Sequence, residues 1–260
     1  MRRAPHLRKE PDVHTLHSLT TVVHDTPEEL GLAVARRAAE VINSAVSERG
    51  EARVMLAAAP SQLPTLAALA QQAVDFDCVE FFHMDDYLGL DRDAPQGFGN
   101  WLEANFLSLI PGRPHFHRID SSLEPDTAVR TYADVMGTEP FDVTLCGLGV
   151  NAHLAFNDPP ADFEDSQSAR WVELDQVSRQ QQVDEGHFPS LESVPTHAIT
   201  VTIPRLLNAQ VVLCSVLGDA KREAVRNTRD RDLDPLIPGT ALKLHPAAEL
   251  HVDPAAVADE

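Results

Sequence analysis

The residues best suited to chemistry lie in one loop of the chain, between Gly147 and Pro160. The loop contains Asn151, His153 and Asp158, and an imidazole next to a carboxylate and an amide can hold and move protons. It follows the apolar run 141–146, which is typical of a buried strand. Ligands bind beyond the carboxyl ends of such strands in open α/β sheets, so this position indicates a catalytic site. The alternative is a polar surface loop with one histidine.

Two adjacent carboxylates, Asp85 and Asp86, follow a second predicted strand over 79–84. Carboxylates crowded in a crevice raise one another's pKa, and one of them can then act as a general base. Two solvated turn residues are the alternative interpretation. Because both polar clusters follow strands, we expect Asp85 and His153 to open into one shared pocket.

A third candidate feature is the turn Ala59-Pro60-Ser61-Gln62, between a predicted strand over 52–59 and a helix. The free N–H groups of a helix start, together with the Ser61 hydroxyl, can donate hydrogen bonds to a phosphate. An ordinary strand-to-helix turn explains this feature alone equally well.

The elements that must position these residues alternate between strand and helix, which is typical of an α/β fold. Apolar runs predict strands over 19–24, 52–59, 79–84, 141–146, 171–174, 197–203, 210–217 and 249–252. Amphipathic patterns and capping residues predict helices over 27–47, 65–73, 101–110, 125–136 and 219–226. Together they predict a doubly wound, Rossmann-like, mostly parallel sheet with helices on both faces.

The domain organisation follows from the same patterns. Residues 19–260 are interpreted as a single domain, since no linker divides them. Residues 1–18 lack periodicity and are interpreted as a flexible or peripheral arm. The polar segment 162–195 is interpreted as a long irregular excursion, either an active-site lid or a simple surface loop.

The composition excludes several classes of partner. The 260 residues carry a formal net charge of −19, which argues against binding to nucleic acid or to an anionic membrane. No run of 18 apolar residues is present, and the basic N-terminus lacks the apolar segment of a secretory signal. The three cysteines have neither disulfide nor zinc spacing. We therefore expect a cytoplasmic protein with no metal site.

Three segments resemble those of the glucosamine-6-phosphate deaminase / 6-phosphogluconolactonase superfamily. They are His83–Leu90, the loop Gly147–Pro160 and Leu217–Lys221, and the resemblance covers residues 19–253. Ala155-Phe156-Asn157-Asp158-Pro159 is similar to the deaminase form, usually Ala-Phe-Asn-Glu-Pro. It is less similar to the lactonase branch, which typically has Ser-Leu-Phe-Pro after the histidine.

The resemblance implies roles for the catalytic candidates. The acid matching Asp85 moves a proton between C2 and C1 of an open-chain sugar. The histidine matching His153 opens the pyranose ring by handling the ring-oxygen proton, assisted by neighbouring acids such as Asp86 and Asp158. No metal or organic cofactor is implied.

The resemblance also implies a phosphate site. It would consist of the turn at Ser61 and Gln62 and of Lys221, a point cation on the helix that follows Gly218. The resemblance also matches Arg179 to a family arginine near the phosphate. Gly149 and Ala152, which belong to the predicted catalytic loop, complete the predicted binding residues.

Four departures from the family pattern bear on activity. Asn151 replaces the usual Asp, so it can orient His153 but cannot stabilise an imidazolium as a carboxylate does. Asp158 replaces Glu and is one methylene shorter, so we expect it to reach its partner through water. Ala152 replaces Gly and is strained if the position requires positive φ. Val150 also replaces a polar residue.

The expected activity is conversion of glucosamine 6-phosphate, or a related hexosamine 6-phosphate, and water to a ketose 6-phosphate and ammonia. The second hypothesis is a 6-phosphogluconolactonase-like hydrolase of a sugar-lactone phosphate. The third is a non-catalytic sugar-phosphate sensor, prompted by Val150, Asn151 and Ala152. Members of the superfamily range from monomers to hexamers, so a homo-oligomer stays among the alternatives.

Overall fold

A seven-stranded parallel sheet lies at the centre of the structure, a computed structural model that describes residues 15–257. The strands in this part of the chain are β1 Thr20–Val23, β2 Ala52–Leu56, β3 Val79–His83, β4 Asp85–Tyr87, β5 His115–His117, β6 Phe141–Cys146, β7 Ala169–Glu173, β8 His197–Val201, β9 Ala209–Val216 and β10 Ala248–Val252. The large sheet has the order β1-β10-β9-β6-β2-β3-β5, and each neighbouring pair in it is parallel. The predicted mostly parallel α/β fold is confirmed.

Helices connect the strands. Within the described residues the α-helices are α1 Pro27–Arg49, α2 Leu63–Leu69, α3 Phe98–Leu102, α4 Pro125–Met136, α5 Gln176–Asp184, α6 Ile203–Leu207, α7 Arg222–Asp230 and α8 Pro254–Val257. Helix α1 begins where the capping pattern predicts, because Thr26 Oγ1 accepts a hydrogen bond from the Glu29 N–H at 3.1 Å. It ends at Gly50, which has a φ of 82°. None of these helices combines the length and hydropathy needed to cross a bilayer.

The apolar core forms two layers, one on each face of the large sheet. Side chains alternate along a strand, so Val54 of β2 packs in one layer and Met55 in the other. The first layer includes Leu30 of α1 and the second includes Tyr132 of α4, all of them buried. Burying a side chain such as Leu30 contributes about 1.5–3 kcal/mol. The two layers account for the doubly wound arrangement.

A second, smaller sheet is the main difference from the predicted architecture. Strands β4, β8 and β7 form a three-stranded antiparallel sheet in which Asp85 pairs with Thr200. Strand β4 follows β3 after a single residue, Met84, whose carbonyl oxygen accepts a hydrogen bond from the Val201 N–H at 2.7 Å. The prediction of one sheet was incomplete, because the pairing of β4 with β8 joins residues as far apart in sequence as Asp85 and Thr200, and no local pattern reveals it. The small sheet holds Asp85 at the end of β3.

Helix α5 corrects a further prediction. The segment 162–195, interpreted as irregular apart from the strand predicted over 171–174, also contains the nine-residue helix α5, and the predicted strand is β7. Asp175 caps this helix by accepting a hydrogen bond from the Val177 N–H at 2.6 Å. The sequence does not reveal α5 by an apolar stripe, because the side chains that it buries are polar: Ser178, Gln181 and Gln182.

Two parts of the predicted domain organisation stay predictions. Residues 1–14 of the N-terminal arm lie outside the described part of the chain, and residues 15–18 precede β1 without regular structure. The single-domain interpretation of 19–260 also stays a prediction.

Candidate active site

The carboxyl ends of β2, β3, β6 and β9 meet at one cavity with a volume of about 410 Å³. Asp85 and His153 both line this cavity, as the sequence predicts. Ala59, Pro60 and Ser61 also line it. The remaining residues of the wall that bear on its chemistry or shape are Phe98, Gly149, Phe156, Gln181, Gln182, Glu185 and Lys221.

Asp85 enters the cavity as a buried carboxyl group with 7% exposure. Burial, and then the neighbouring charge of Asp86, raises the pKa of Asp85 well above its ordinary value. The backbone just before it is fixed by Tyr132, whose hydroxyl donates to the His83 carbonyl at 2.6 Å and accepts from the His83 N–H at 3.0 Å. A rigidly held carboxylate with a raised pKa is suited to removing a proton from carbon.

Asp86 does not line the cavity, although it is adjacent to Asp85. Its carboxylate accepts hydrogen bonds from the N–H groups of Tyr87 at 2.9 Å, Phe98 at 2.9 Å and Gly99 at 3.1 Å. Burial raises the pKa of Asp86, and these three bonds oppose the rise. The side chain therefore fastens the start of α3 and places Phe98 in the cavity wall, where the sequence suggested a second catalytic acid.

His153 is held by a carboxylate and a hydroxyl. Its Nδ1 lies 2.9 Å from Ser178 Oγ and 3.1 Å from Asp158 Oδ1. Ser178 Oγ also donates a short hydrogen bond to Asp158 Oδ1. Because a hydroxyl has only one proton to donate, Ser178 Oγ acts as the acceptor at its contact with His153, and the proton of that contact lies on Nδ1. The imidazole nitrogen Nε2 is then the one available for proton transfer.

Asp158 is ionised in this arrangement. Burial alone would raise its pKa, but interactions with His153, Ser178 and Asn151 outweigh burial and lower the pKa to about 2. The expectation that Asp158 acts only through water is wrong for His153, which it contacts directly. The loop turns back on itself at the Leu154–Asn157 bridge, which lies between His153 and Asp158 in the sequence.

Asn151 supports the carboxylate and the loop backbone. Its Nδ2 donates to Asp158 Oδ1 at 3.2 Å, and its Oδ1 accepts from the His153 N–H at 3.2 Å. Neither Asn151 nor Asp158 lines the cavity, so both act on the site through His153. The structure thus places an acid behind the imidazole even though residue 151 cannot ionise.

The backbone of this loop is tightly folded around His153. A Cβ added to Gly149 would lie less than 3.0 Å from the Cε1, Nε2 and Cδ2 atoms of His153, so only glycine leaves room for the ring. Ala152 adopts a φ of 64°, the positive value that the sequence identified as a source of strain. It is buried and lies outside the cavity wall.

The turn proposed as a phosphate cradle divides into two parts. Ala59, Pro60 and Ser61 face the cavity, whereas Gln62 is buried behind it. Gln62 Nε2 donates to the Cys146 carbonyl at 3.0 Å and to the Ser215 carbonyl at 3.3 Å. The amide therefore ties the turn to the ends of β6 and β9, where the sequence suggested a direct contact with ligand.

Lys221 brings a cation to the cavity. Its Nζ lies 3.4 Å from Glu185 Oε1, and burial lowers the pKa of Lys221 while Glu185 opposes the change. Arg179, the other cation suggested for the phosphate, is not part of the cavity wall. Its Nη2 donates to the carbonyl groups of Leu191 at 2.7 Å and Val194 at 3.0 Å, so it stabilises the segment after α5.

Four polar residues of the site were not predicted, and all belong to α5 or its end. Ser178, Gln181, Gln182 and Glu185 are spaced at i, i+3, i+4 and i+7, the spacing of one helix face. Gln181 Oε1 accepts from the Val150 N–H at 2.9 Å, and Gln182 Oε1 accepts from the Tyr87 hydroxyl at 2.7 Å. A polar face with this spacing is the sequence signal that identifies them.

The chemistry available here is proton transfer next to a cationic group. Asp85 supplies a carboxyl with a raised pKa, His153 supplies an imidazole nitrogen, and Lys221 supplies a positive charge. Among the described residues, no group of three or more His, Cys, Asp or Glu side chains is arranged to hold a metal ion.

Known proteins resemble this chain along most of its length. The family described as glucosamine-6-phosphate isomerases/6-phosphogluconolactonase matches residues 25–251. A glucosamine-6-phosphate deaminase of Streptococcus pneumoniae is 29% identical over 198 residues, 76% of this chain and 83% of the deaminase. The structure of a monomeric glucosamine-6-phosphate deaminase of the NagB superfamily has a TM-score of 0.83 and 27% identity, covering 92% of this chain and 98% of the other.

A lactonase shares the fold at lower identity. The 6-phosphogluconolactonase of Shewanella baltica has a TM-score of 0.75 and 17% identity, covering 92% of this chain and 99% of the lactonase. The extent of the family match, together with the fold, shows that this chain belongs to the glucosamine-6-phosphate isomerase/6-phosphogluconolactonase family.

Proposed function

We propose that this protein is an amino-sugar phosphate deaminase that converts a hexosamine 6-phosphate and water to a ketose 6-phosphate and ammonia. The observation that carries the proposal is the shared cavity, in which the Asp85 carboxyl and the His153 imidazole are accompanied by the Lys221 ammonium. Similarity to curated deaminases supports it.

In the proposed reaction, His153 Nε2 transfers the proton that opens the sugar ring and leaves an aldehyde at C1. Asp85 then removes the proton from C2, which gives an enolamine, and returns a proton to C1, which gives an imine at C2. Water adds to C2 and ammonia leaves, so the overall reaction consumes one water. The raised pKa of Asp85 suits this step, because a stronger base removes a carbon-bound proton more readily.

Asp158 and Ser178 hold the imidazole for this reaction. The Asp158 carboxylate keeps the proton on Nδ1 and stabilises the imidazolium that forms when Nε2 accepts a proton. This arrangement supplies the negative charge that Asn151 lacks. We therefore propose that the replacement at 151 does not abolish catalysis.

The test is to incubate the purified protein with glucosamine 6-phosphate and to measure ammonia and fructose 6-phosphate. We expect both products in equal amounts, and we expect Asp85→Asn to lower kcat by about 10²–10⁴-fold, the usual contribution of a general base. Asp91→Asn, at an exposed position in the loop after β4, is the matched control and keeps full activity. No turnover by the wild type would exclude the proposal.

A sugar-lactone phosphate hydrolase is the second candidate, because the His153–Asp158–Ser178 arrangement can activate a water molecule without Asp85. In that case 6-phosphogluconolactone would be hydrolysed faster than its spontaneous rate, and Asp85→Asn would retain this activity. A protein whose melting temperature rises with sugar phosphates, without any conversion, would instead be the sensor.

A further inference from the structure

Glu185 is a charged residue of the cavity wall that takes no part in the proposed proton transfers. Its Oε1 lies 3.4 Å from Lys221 Nζ and accepts a hydrogen bond from Gln181 Nε2 at 2.7 Å. Its Oε2 lies 3.8 Å from His187 Nε2. The side chains of Glu185 and Lys221 are 22% and 11% exposed, so their ion pair is largely removed from solvent.

The charges of the cavity make this pair important for any anionic ligand. Lys221 is the only lysine or arginine among the described residues that line the cavity, whereas Asp85 and Glu185 are both carboxylates. A phosphoryl group that approaches Lys221 therefore meets an ammonium whose charge Glu185 already balances. It also meets the repulsion of the Glu185 carboxylate, which partial burial strengthens relative to a surface pair.

From these contacts, and on the basis of the proposed function, we propose that Glu185 is a specificity-determining residue that competes with the substrate's phosphoryl group for Lys221. A ligand must carry enough negative charge to replace the carboxylate. Phosphorylated sugars meet this requirement, and neutral sugars of the same shape do not.

Gln181 links this competition to the catalytic loop. The Gln181 side chain also accepts a hydrogen bond from the Val150 N–H at 2.9 Å, and Val150 lies three residues before His153. Lys221 and Gln181 both contact Oε1 of Glu185, so a movement of this oxygen away from Lys221 also moves the acceptor of the hydrogen bond from Gln181. Occupation of the phosphate position is therefore connected through two side chains to the loop that carries the imidazole.

The variant Glu185→Gln removes the charge of residue 185 and keeps the size of its side chain. A glutamine can still accept hydrogen bonds from Lys221 and Gln181 but leaves the ammonium uncompensated. We expect calorimetric titration with inorganic phosphate to give a Kd about tenfold lower for Glu185→Gln than for the wild type. Asp184→Asn is the matched control, because this exposed neighbour contacts only Gln180 among the described hydrogen bonds. We expect its Kd to equal that of the wild type.

Two further titrations complete the design. Glucosamine 6-phosphate is expected to bind Glu185→Gln more tightly than the wild type, whereas glucosamine, which lacks the phosphoryl group, is expected to bind both equally. A Kd for phosphate that is unchanged or raised in Glu185→Gln would overturn the proposal and assign Glu185 to the support of α5.

If Glu185→Gln does not fold, Glu185→Asp replaces it. The aspartate side chain is shorter, so the ion pair with Lys221 is weaker and phosphate should bind more tightly. Phosphate binding no tighter than in the wild type would overturn the proposal.

The titrations with inorganic phosphate do not depend on turnover. Tighter phosphate binding by Glu185→Gln in a protein that releases no ammonia would leave this inference standing and remove the deaminase proposal. Ammonia release with unchanged phosphate binding would have the opposite meaning.

Discussion

Gly149 lies against the face of the His153 imidazole, with no room between them for a methyl group. The Gly149 N–H also donates to the His153 carbonyl at 3.0 Å, so this residue fixes both the ring and its backbone. The position of the His153 imidazole thus depends on a residue that has no side chain.

We therefore expect Gly149→Ala to displace His153 and to lower kcat by about 10²–10⁴-fold, as expected when acid–base catalysis is lost. Steady-state kinetics with glucosamine 6-phosphate checks this. Gly31→Ala is the matched control, because a Cβ there would meet the Pro64 backbone at less than 3.0 Å, and neither Gly31 nor Pro64 lines the cavity. That variant should lose stability but keep its turnover per folded molecule, and wild-type kinetics for Gly149→Ala would contradict the expectation.

Protonation of Asp158 should make the protein less stable in acid. Its pKa is about 2 when folded and near 3.8 when unfolded, so its contribution is fully present above pH 3.8 and is lost as the pH falls towards 2. The contribution is on the order of 2 kcal/mol in the free energy of unfolding. Urea unfolding at pH 5 and pH 3 measures the part lost over that interval, about 1 kcal/mol, and Asp158→Asn should lose less stability than the wild type between these values. Equal losses would contradict the assignment.

A pair of histidines should make the outer strand β1 sensitive to pH. His24 Nε2 lies 2.9 Å from His251 Nδ1, and burial lowers the pKa of both, while Glu29 and Asp25 oppose the shift at His24 and Glu249 opposes it at His251. A histidine whose folded pKa lies below the unfolded 6.5 contributes stability above that pH and loses it as the pH falls through the folded pKa.

The melting temperature of the wild type should therefore fall more between pH 7.5 and pH 5.5 than that of His251→Gln. Hydrogen exchange of the β1 amides should speed up over the same interval, because the pair connects β1 to β10. A fall of the same size in both proteins would show that these histidines do not control it.

Ala152→Gly should stabilise the protein. Ala152 has a φ of 64°, and relief of a left-handed conformation at a residue with a Cβ is worth about 1 kcal/mol after the entropy of glycine is taken into account. Urea unfolding measures the change. Ala68→Gly in α2, where the helix needs no positive φ, should show the opposite sign.

The sequence predicts the parts of the fold in which local pattern and tertiary position agree. Strand β6 and helix α4 have the predicted bounds, because an apolar run and an amphipathic run with a proline start are each buried as their patterns require. Helix α5 is not predicted, because its buried residues, such as Gln181, are polar and form their hydrogen bonds with residues of other segments. A local pattern contains no information about such partners.

Asp85 and Asp86 show the same limit within the site. Adjacent residues of a strand point to opposite faces, so one carboxylate enters the cavity and the other turns to the start of α3. Their adjacency suggested a crowded acid pair, but the register of β4 against β8 decides which of them faces ligand. Arg179 is a comparable case, because the carbonyl groups that it contacts belong to a segment whose path is not evident from its composition.

Helix α5 serves the cavity wall and the support of the reacting groups at the same time. Its inward side chains, Ser178, Gln181 and Gln182, belong to neither apolar layer of the sheet, and each forms a hydrogen bond to a residue of another segment. A change on this one helical face therefore alters the shape of the cavity and the position of the His153 loop together. An engineer who exchanged residues 176–185 as a single cassette would have to keep Ser178, whose hydroxyl contacts both His153 and Asp158.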